Sequence, residues 1–239
     1  PAGAITADNS GLTGKVVFFD AEDYDGLNSE KDYLFGGRSF TLFQVTENGL
    51  TEVFTSGSDF EEKTAAYLPE YFNCSNDDLS VDDRSGKKGP EPETVTVGQA
   101  DGRTYAFVTL ERIGGIMVYD ITDPSDVAFA NYINSRDFSS DTGADDSPEG
   151  LKFISAQDSP MDSPLLMSAC EVGGTVAVYE LTKGNGSSSG NSSGGSSSGG
   201  SSSQDKTETV TSPDGTVTTT VTKPDGTVTV TVKAKDGSS

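Results

Sequence analysis

The sequence predicts an all-β protein, read as a partial β-propeller with about three units visible, then a linker and a small antiparallel β-meander. Three observations predict it. Short segments rich in β-branched and aromatic residues recur between Gly, Asp and Asn. Two longer stretches repeat one another around a Gly-Gly pair. A Thr/Val pattern near the end repeats with period eleven.

The strand-like segments of the body are 15–20, 40–45, 94–97, 104–110, 116–119, 151–154, 165–168 and 175–179. One helix is expected around Asp59–Tyr71, where helix formers precede Pro69. Long polar loops fall at 73–92 and 135–148.

The internal repeat runs from Pro92-Glu93 through 104–110 to Glu111, Gly114-Gly115 and Tyr119-Asp120. It recurs from Pro148-Glu149 through 165–168 to Glu171, Gly173-Gly174 and Tyr179-Glu180. A third Gly-Gly stands at Gly36-Gly37, before Arg38. Repeated antiparallel units of this length read as propeller blades, each with two apolar faces that need neighbours. Closed propellers have about four to eight blades, so the remainder is expected in degenerate form near the start or on another chain.

The body is assigned to 1–183. Residues 184–203 contain only Gly, Ser and Asn and are expected to be a flexible linker. In the tail, 204–239, alternating Thr/Val segments are joined by Pro213-Asp214-Gly215 and Pro224-Asp225-Gly226 turns, the signature of a β-meander.

Composition excludes several function classes. The net charge is −22, almost all of it in the body, which disfavours nucleic acid as a partner and favours hard cations such as calcium. Histidine is absent, which removes Ser-His-Asp and Cys-His catalysis and His-bearing zinc sites. No apolar run is long enough for a membrane span. Cys74 and Cys170 are either one disulfide or two buried thiols. The Asn73-Cys74-Ser75 sequon makes Asn73 a candidate glycosylation site and favours a secretory route.

The stretches 33–40, 88–93, 110–124 and 147–151 together resemble the choice-of-anchor I family, over roughly Asp32 to Leu181. That family is similar to mesenchyme-specific cell-surface glycoproteins. The resemblance implies a secreted or surface-anchored β-propeller, of which this chain looks like the C-terminal part.

Candidate site residues follow from the repeat. Glu91, Glu93 and Glu149 precede or open strands, and Glu111 and Glu171 precede Gly-Gly turns, so equivalent carboxylates converge if the units are equivalent. Such oxygens could hold calcium, or could bond backbone amides at the turns. Asp23 and Asp25 lie in a calcium-loop-like segment that lacks the distal Glu of an EF-hand. Arg38 and Arg112 are anion-binding candidates or structural partners of those glutamates.

The expected function is that of an extracellular or cell-surface structural or adhesive protein. It would assemble as a homo-oligomer or with a companion chain. The alternatives are a calcium-dependent phosphohydrolase using axial carboxylates, and a non-catalytic calcium or mineral binder.

Overall fold

The computed structural model describes residues 36–182, together with 4–6, 17–19, 24–28, 30, 33–34, 206–211, 217–222 and 228–233. The linker assigned to 184–203 lies outside the described residues. Strands β1 (Ala4–Thr6), β2 (Val17–Phe19) and β3 (Tyr33–Leu34) form one small sheet. Strands β4 (Thr41–Thr46) and β5 (Gly49–Thr55) form a hairpin. Helix α1 (Asp59–Tyr67) follows, then a 3-10 turn at Pro69–Tyr71.

The first repeat unit is a four-stranded meander of β6 (Pro92–Ala100), β7 (Arg103–Leu110), β8 (Ile116–Asp120) and β9 (Ala128–Ile133). The second is a three-stranded meander of β10 (Pro148–Ile154), β11 (Leu165–Cys170) and β12 (Thr175–Glu180). The Thr/Val tail forms β13 (Lys206–Thr211), β14 (Val217–Thr222) and β15 (Val228–Lys233), also antiparallel. The fold is therefore nearly all-β, with one α-helix among the described residues, and its sheets do not close into a ring.

Local chemistry sets the helix limits. Asp59, Glu61 and Glu62 stand in the first turn, where the helix dipole favours negative charge. Pro69 pushes Leu68 out of helical geometry, and the Leu68 N–H closes the last turn on the Thr64 carbonyl.

The central strands β7 and β8 of the first repeat unit are buried on both faces because their side chains alternate between two cores. Ala106, Val108 and Leu110 of β7 join Met117 and Tyr119 of β8 on the face toward α1 and the hairpin, against Phe40 and Phe60. Phe107 of β7 joins Ile116 and Val118 of β8 on the other face, against Leu166, Ala177 and Tyr179 of the second unit. Each such side chain contributes roughly 1.5–3 kcal/mol when fully buried. This is why Tyr105-Ala106-Phe107-Val108 is an unbroken apolar run, unlike the alternating strands.

The repeat seen in sequence is a repeat of hydrogen bonds. The Glu111 N–H donates to the Glu91 carbonyl, and the Glu171 N–H donates to the Ser147 carbonyl, both at 2.9 Å. Glu91 and Ser147 share a left-handed backbone, φ 52° and 54°. Each precedes a proline whose strand then bulges. The Ile121 N–H reaches the Thr104 carbonyl as the Leu181 N–H reaches that of Pro164, again both at 2.9 Å.

Candidate functional site

The two left-handed turns carry the acidic residues of β6 and β10 to one end of the paired units. Thr94 Oγ1 donates to the Glu149 carbonyl, tying the start of β6 to that of β10. The carboxylates of Glu91, Glu93 and Glu111 lie within 4.8 Å of one another. Glu149 joins them electrostatically, since slight burial together with Glu171 and Glu93 raises its carboxyl above the usual range. The first unit thus supplies a tight group of three carboxylates, and Glu149 of the second unit lies near enough to feel the charge of Glu93.

The members differ in kind. Glu91 is 3% exposed and is surrounded by cations. Arg84 pairs with it, Lys88 Nζ is 2.7 Å away and Arg112 Nε 3.1 Å. Burial alone would raise its pKa, but the bonds from Lys88, Arg112 and Arg84 outweigh burial and hold it at about 2. Glu111 is pushed up to about 7, chiefly by burial and then by the Glu91 and Glu93 carboxylates, against the lowering effect of Arg112. Glu93 and Glu149 are exposed. Glu91 is thus the anion of a structural knot, with Glu111 buried beside it and paired to Arg112 at 3.0 Å, whereas Glu93, Glu149 and Glu171 are exposed carboxylates with no ion pair of their own among the described residues. That donor set fits a hard divalent cation such as calcium.

The other candidate residues are placed differently. Arg38 donates to Glu61 Oε1 at 2.7 Å and to the carbonyls of Ser85 and Lys87. Arg112 donates to Asn76 Oδ1 at 2.6 Å and pairs with Glu91 and Glu111. Both guanidinium groups are held by the protein's own acceptors. Asp25 sits exposed in a turn, and Asp23 lies outside the described residues.

The cysteines follow the second of their two readings, and the expectation for Asn73 is corrected. Cys74 and Cys170 do not form a bridge: both are free, buried thiols. Cys74 lies beside Arg136, and Cys170 beside Ser168. Asn73 is not a surface acceptor for a glycan. It is 0% exposed, and its Nδ2 donates to Glu61 Oε1 and Ser85 Oγ, each at 2.8 Å, so a sugar on that nitrogen would displace at least one of these bonds and has no open surface to occupy.

Sequence reasoning missed Arg136. Its Nη1 donates to the Arg112 and Ser75 carbonyls, its Nη2 to those of Asn76 and Asp141, and its Nε faces Asp146. It thereby clamps both polar loops to the turn that carries Glu111. Asp146 ends an acidic run that reads as solvated but is itself fully buried.

The family model described as the choice-of-anchor I domain matches residues 4–124. The match starts earlier than the resemblance read from motifs and ends before the second repeat unit. Gigasin-3a of Magallana gigas is 27% identical over 172 residues, which cover 66% of this chain and 60% of that protein. The mesenchyme-specific cell surface glycoprotein of Strongylocentrotus purpuratus is 27% identical over 115 residues, covering 41% of this chain and 15% of that protein. The chain thus matches less than two thirds of the length of either relative. No solved structure matches it.

Proposed function

We propose, from the premise that this chain belongs to the choice-of-anchor I family, that it serves as an extracellular or cell-surface structural protein completed by further blades. Those blades come from a second copy or a companion chain. The observation that carries this reading is the uneven burial of its sheets. The central strands β7 and β8 of the first repeat unit are buried on both faces, whereas the hairpin of β4 and β5 buries only one. Leu42 and Phe54 pack inward, while Phe43, Val45 and Leu50 on the opposite face are 49%, 79% and 66% exposed. An apolar sheet face of this kind marks an interaction surface. The sea urchin relative's name places that protein at a cell surface, which supports the same setting here.

Light scattering on the purified chain tests the reading. A species of two or more copies, or a stable complex with a companion chain, supports it. A strict monomer at concentrations well above micromolar, with no partner retained, overturns it.

A second reading is favoured by the acidic cluster: a calcium or mineral-surface binder. Glu93, Glu111, Glu149 and Glu171 would supply oxygen ligands, with Glu91 left to its cations. Calorimetric titration with calcium tests it, and Glu93→Gln with Glu149→Gln should weaken binding about tenfold or more. Catalysis by a cation held there, as a phosphohydrolase, is tested by chelator-sensitive phosphatase activity lost in the same variants.

A further inference from the structure

We propose that β15 of the tail adds to the open edge of β12 in the same chain and serves as the fourth strand of the second repeat unit. The inference starts from the equivalence of the two units. Leu110 and Cys170, and Tyr119 and Tyr179, stand sixty positions apart, and the bonds from Ile121 to Thr104 and from Leu181 to Pro164 keep that offset at both ends. The Leu181 N–H turns inward to Pro164 as the Ile121 N–H turns inward to Thr104. Peptide groups alternate along a strand, so those of Val176, Val178 and Glu180 point away from β11, like those of Ile116, Val118 and Asp120 away from β7.

In the first unit that outward edge is occupied. Ile116 pairs with Ile133, Val118 with Asn131 and Asp120 with Ala128, all on β9. In the second unit no strand is hydrogen-bonded to β12 on that side among the described residues. An edge with unpaired N–H and C=O groups is a template for another strand. The tail strand nearest to β12 is β15, which has Cα atoms within 8 Å of those of β12.

Three features fit β15 to that place. It is the outer strand of its own sheet, in the order β13-β14-β15, so it also has an edge to offer. Its sequence, Val228-Thr229-Val230-Thr231-Val232-Lys233, is almost wholly β-branched. The 25 residues between Glu180 and Lys206 can span at most about 85 Å, ample for the tail to return to its own body. A tether of that length also favours the intramolecular partner by mass action. The proposal stands apart from the assembly reading, which concerns the apolar face of the hairpin rather than the edge of β12.

Hydrogen exchange on the full chain, resolved by residue, tests it. Thr229→Pro and Val230→Pro are made singly, because alternation directs one of these two N–H groups to β14 and the other to the open edge. The expected result is slow exchange at the Val176, Val178 and Glu180 amides, accelerated about tenfold or more in at least one variant, with Val118 unchanged. Fast exchange at the three amides in the unmodified chain overturns the proposal. So does slow exchange that both variants leave untouched. Protection that fades on dilution, as the mass in solution halves, also overturns it by giving the edge to a neighbour's tail.

Discussion

Arg136 Nε lies 3.3 Å from Asp146 Oδ1, and both side chains are wholly shielded from water. A buried pair of this kind is costly to break because the survivor stays buried and uncompensated. Arg136→Met should therefore destabilise the protein by about 3–5 kcal/mol in urea unfolding. Arg136→Met combined with Asp146→Leu should be less destabilised than the sum of the two single variants. Strict additivity would mean that the carbonyl contacts of Arg136, and not the pair, set the cost.

The acidic cluster gives a pH dependence with opposite signs in two windows. Glu91 has a folded pKa of about 2, below its ordinary 4.5, so its contribution is present above 4.5 and lost as pH falls toward 2. Glu111 has a folded pKa of about 7, above its ordinary 4.5. Its contribution is full below 4.5 and is lost as pH rises through 7. Urea midpoints measured between pH 4.5 and 7 should fall less steeply in Glu111→Gln than in the parent. Part of the slope should remain, because burial also pushes Asp146 up to about 6.

Close approach of the two repeat units makes Gly98 on β6 a sensitive position. A Cβ there would run into the Phe153 ring of β10, which itself stacks on Phe107 at 5.9 Å. Gly98→Val should cost about 1–3 kcal/mol through overpacking. Adding Phe153→Leu should recover part of that loss, an outcome readable in a double-mutant cycle. Equal losses in the single and double variants would place the cost in the strand and not in the ring contact.

The cysteines should behave as buried thiols. Burial pushes the Cys74 thiol up to about 11, against the lowering effect of Arg136, and burial raises that of Cys170 as well. Neither should react with a thiol reagent at pH 8 in the native protein, and both should react in urea. Reductant should leave the melting temperature unchanged. Protein recovered from a secretory host should carry no glycan on Asn73, which intact mass after digestion reports directly.

How far all this was legible varies with the range of the interaction. Strands such as 104–110 and 116–119 were readable because β-branched and aromatic runs need no distant partner to identify them. The shared positions of Glu93 and Glu149 were readable because Pro-Glu and Gly-Gly mark the same turns twice. Strand β9 was missed, since Ala128–Ile133 is mixed in character and owes its place to pairing with β8. Arg136 was missed for a stronger reason. Its partners lie as far away as Ser75, and nothing in the local sequence separates it from a solvated arginine. Asp146 cannot be told in sequence from the other acids of 141–146, because burial of a carboxylate depends on that same distant cation. Asn73 carried a true sequon, but accessibility is a property of the folded loop and not of the motif.

The exposed face of the hairpin yields the sharpest test of assembly. Val45 and Leu50 are directly paired across β4 and β5, and both project to the side opposite Leu42 and Phe54. They make up most of the apolar surface on that face, and the monomer's core does not need them. Val45→Glu with Leu50→Lys should change unfolding stability by no more than about 0.5 kcal/mol, as is usual for surface positions. In solution the same pair should convert a multi-copy species to monomer, because charged groups would then be desolvated at the contact. Assembly that survives both charges would move the interface elsewhere. The outer face of β10–β12 would be next, where Val176 is 61% exposed. A large loss of stability would instead mean that this face is part of the fold of one chain.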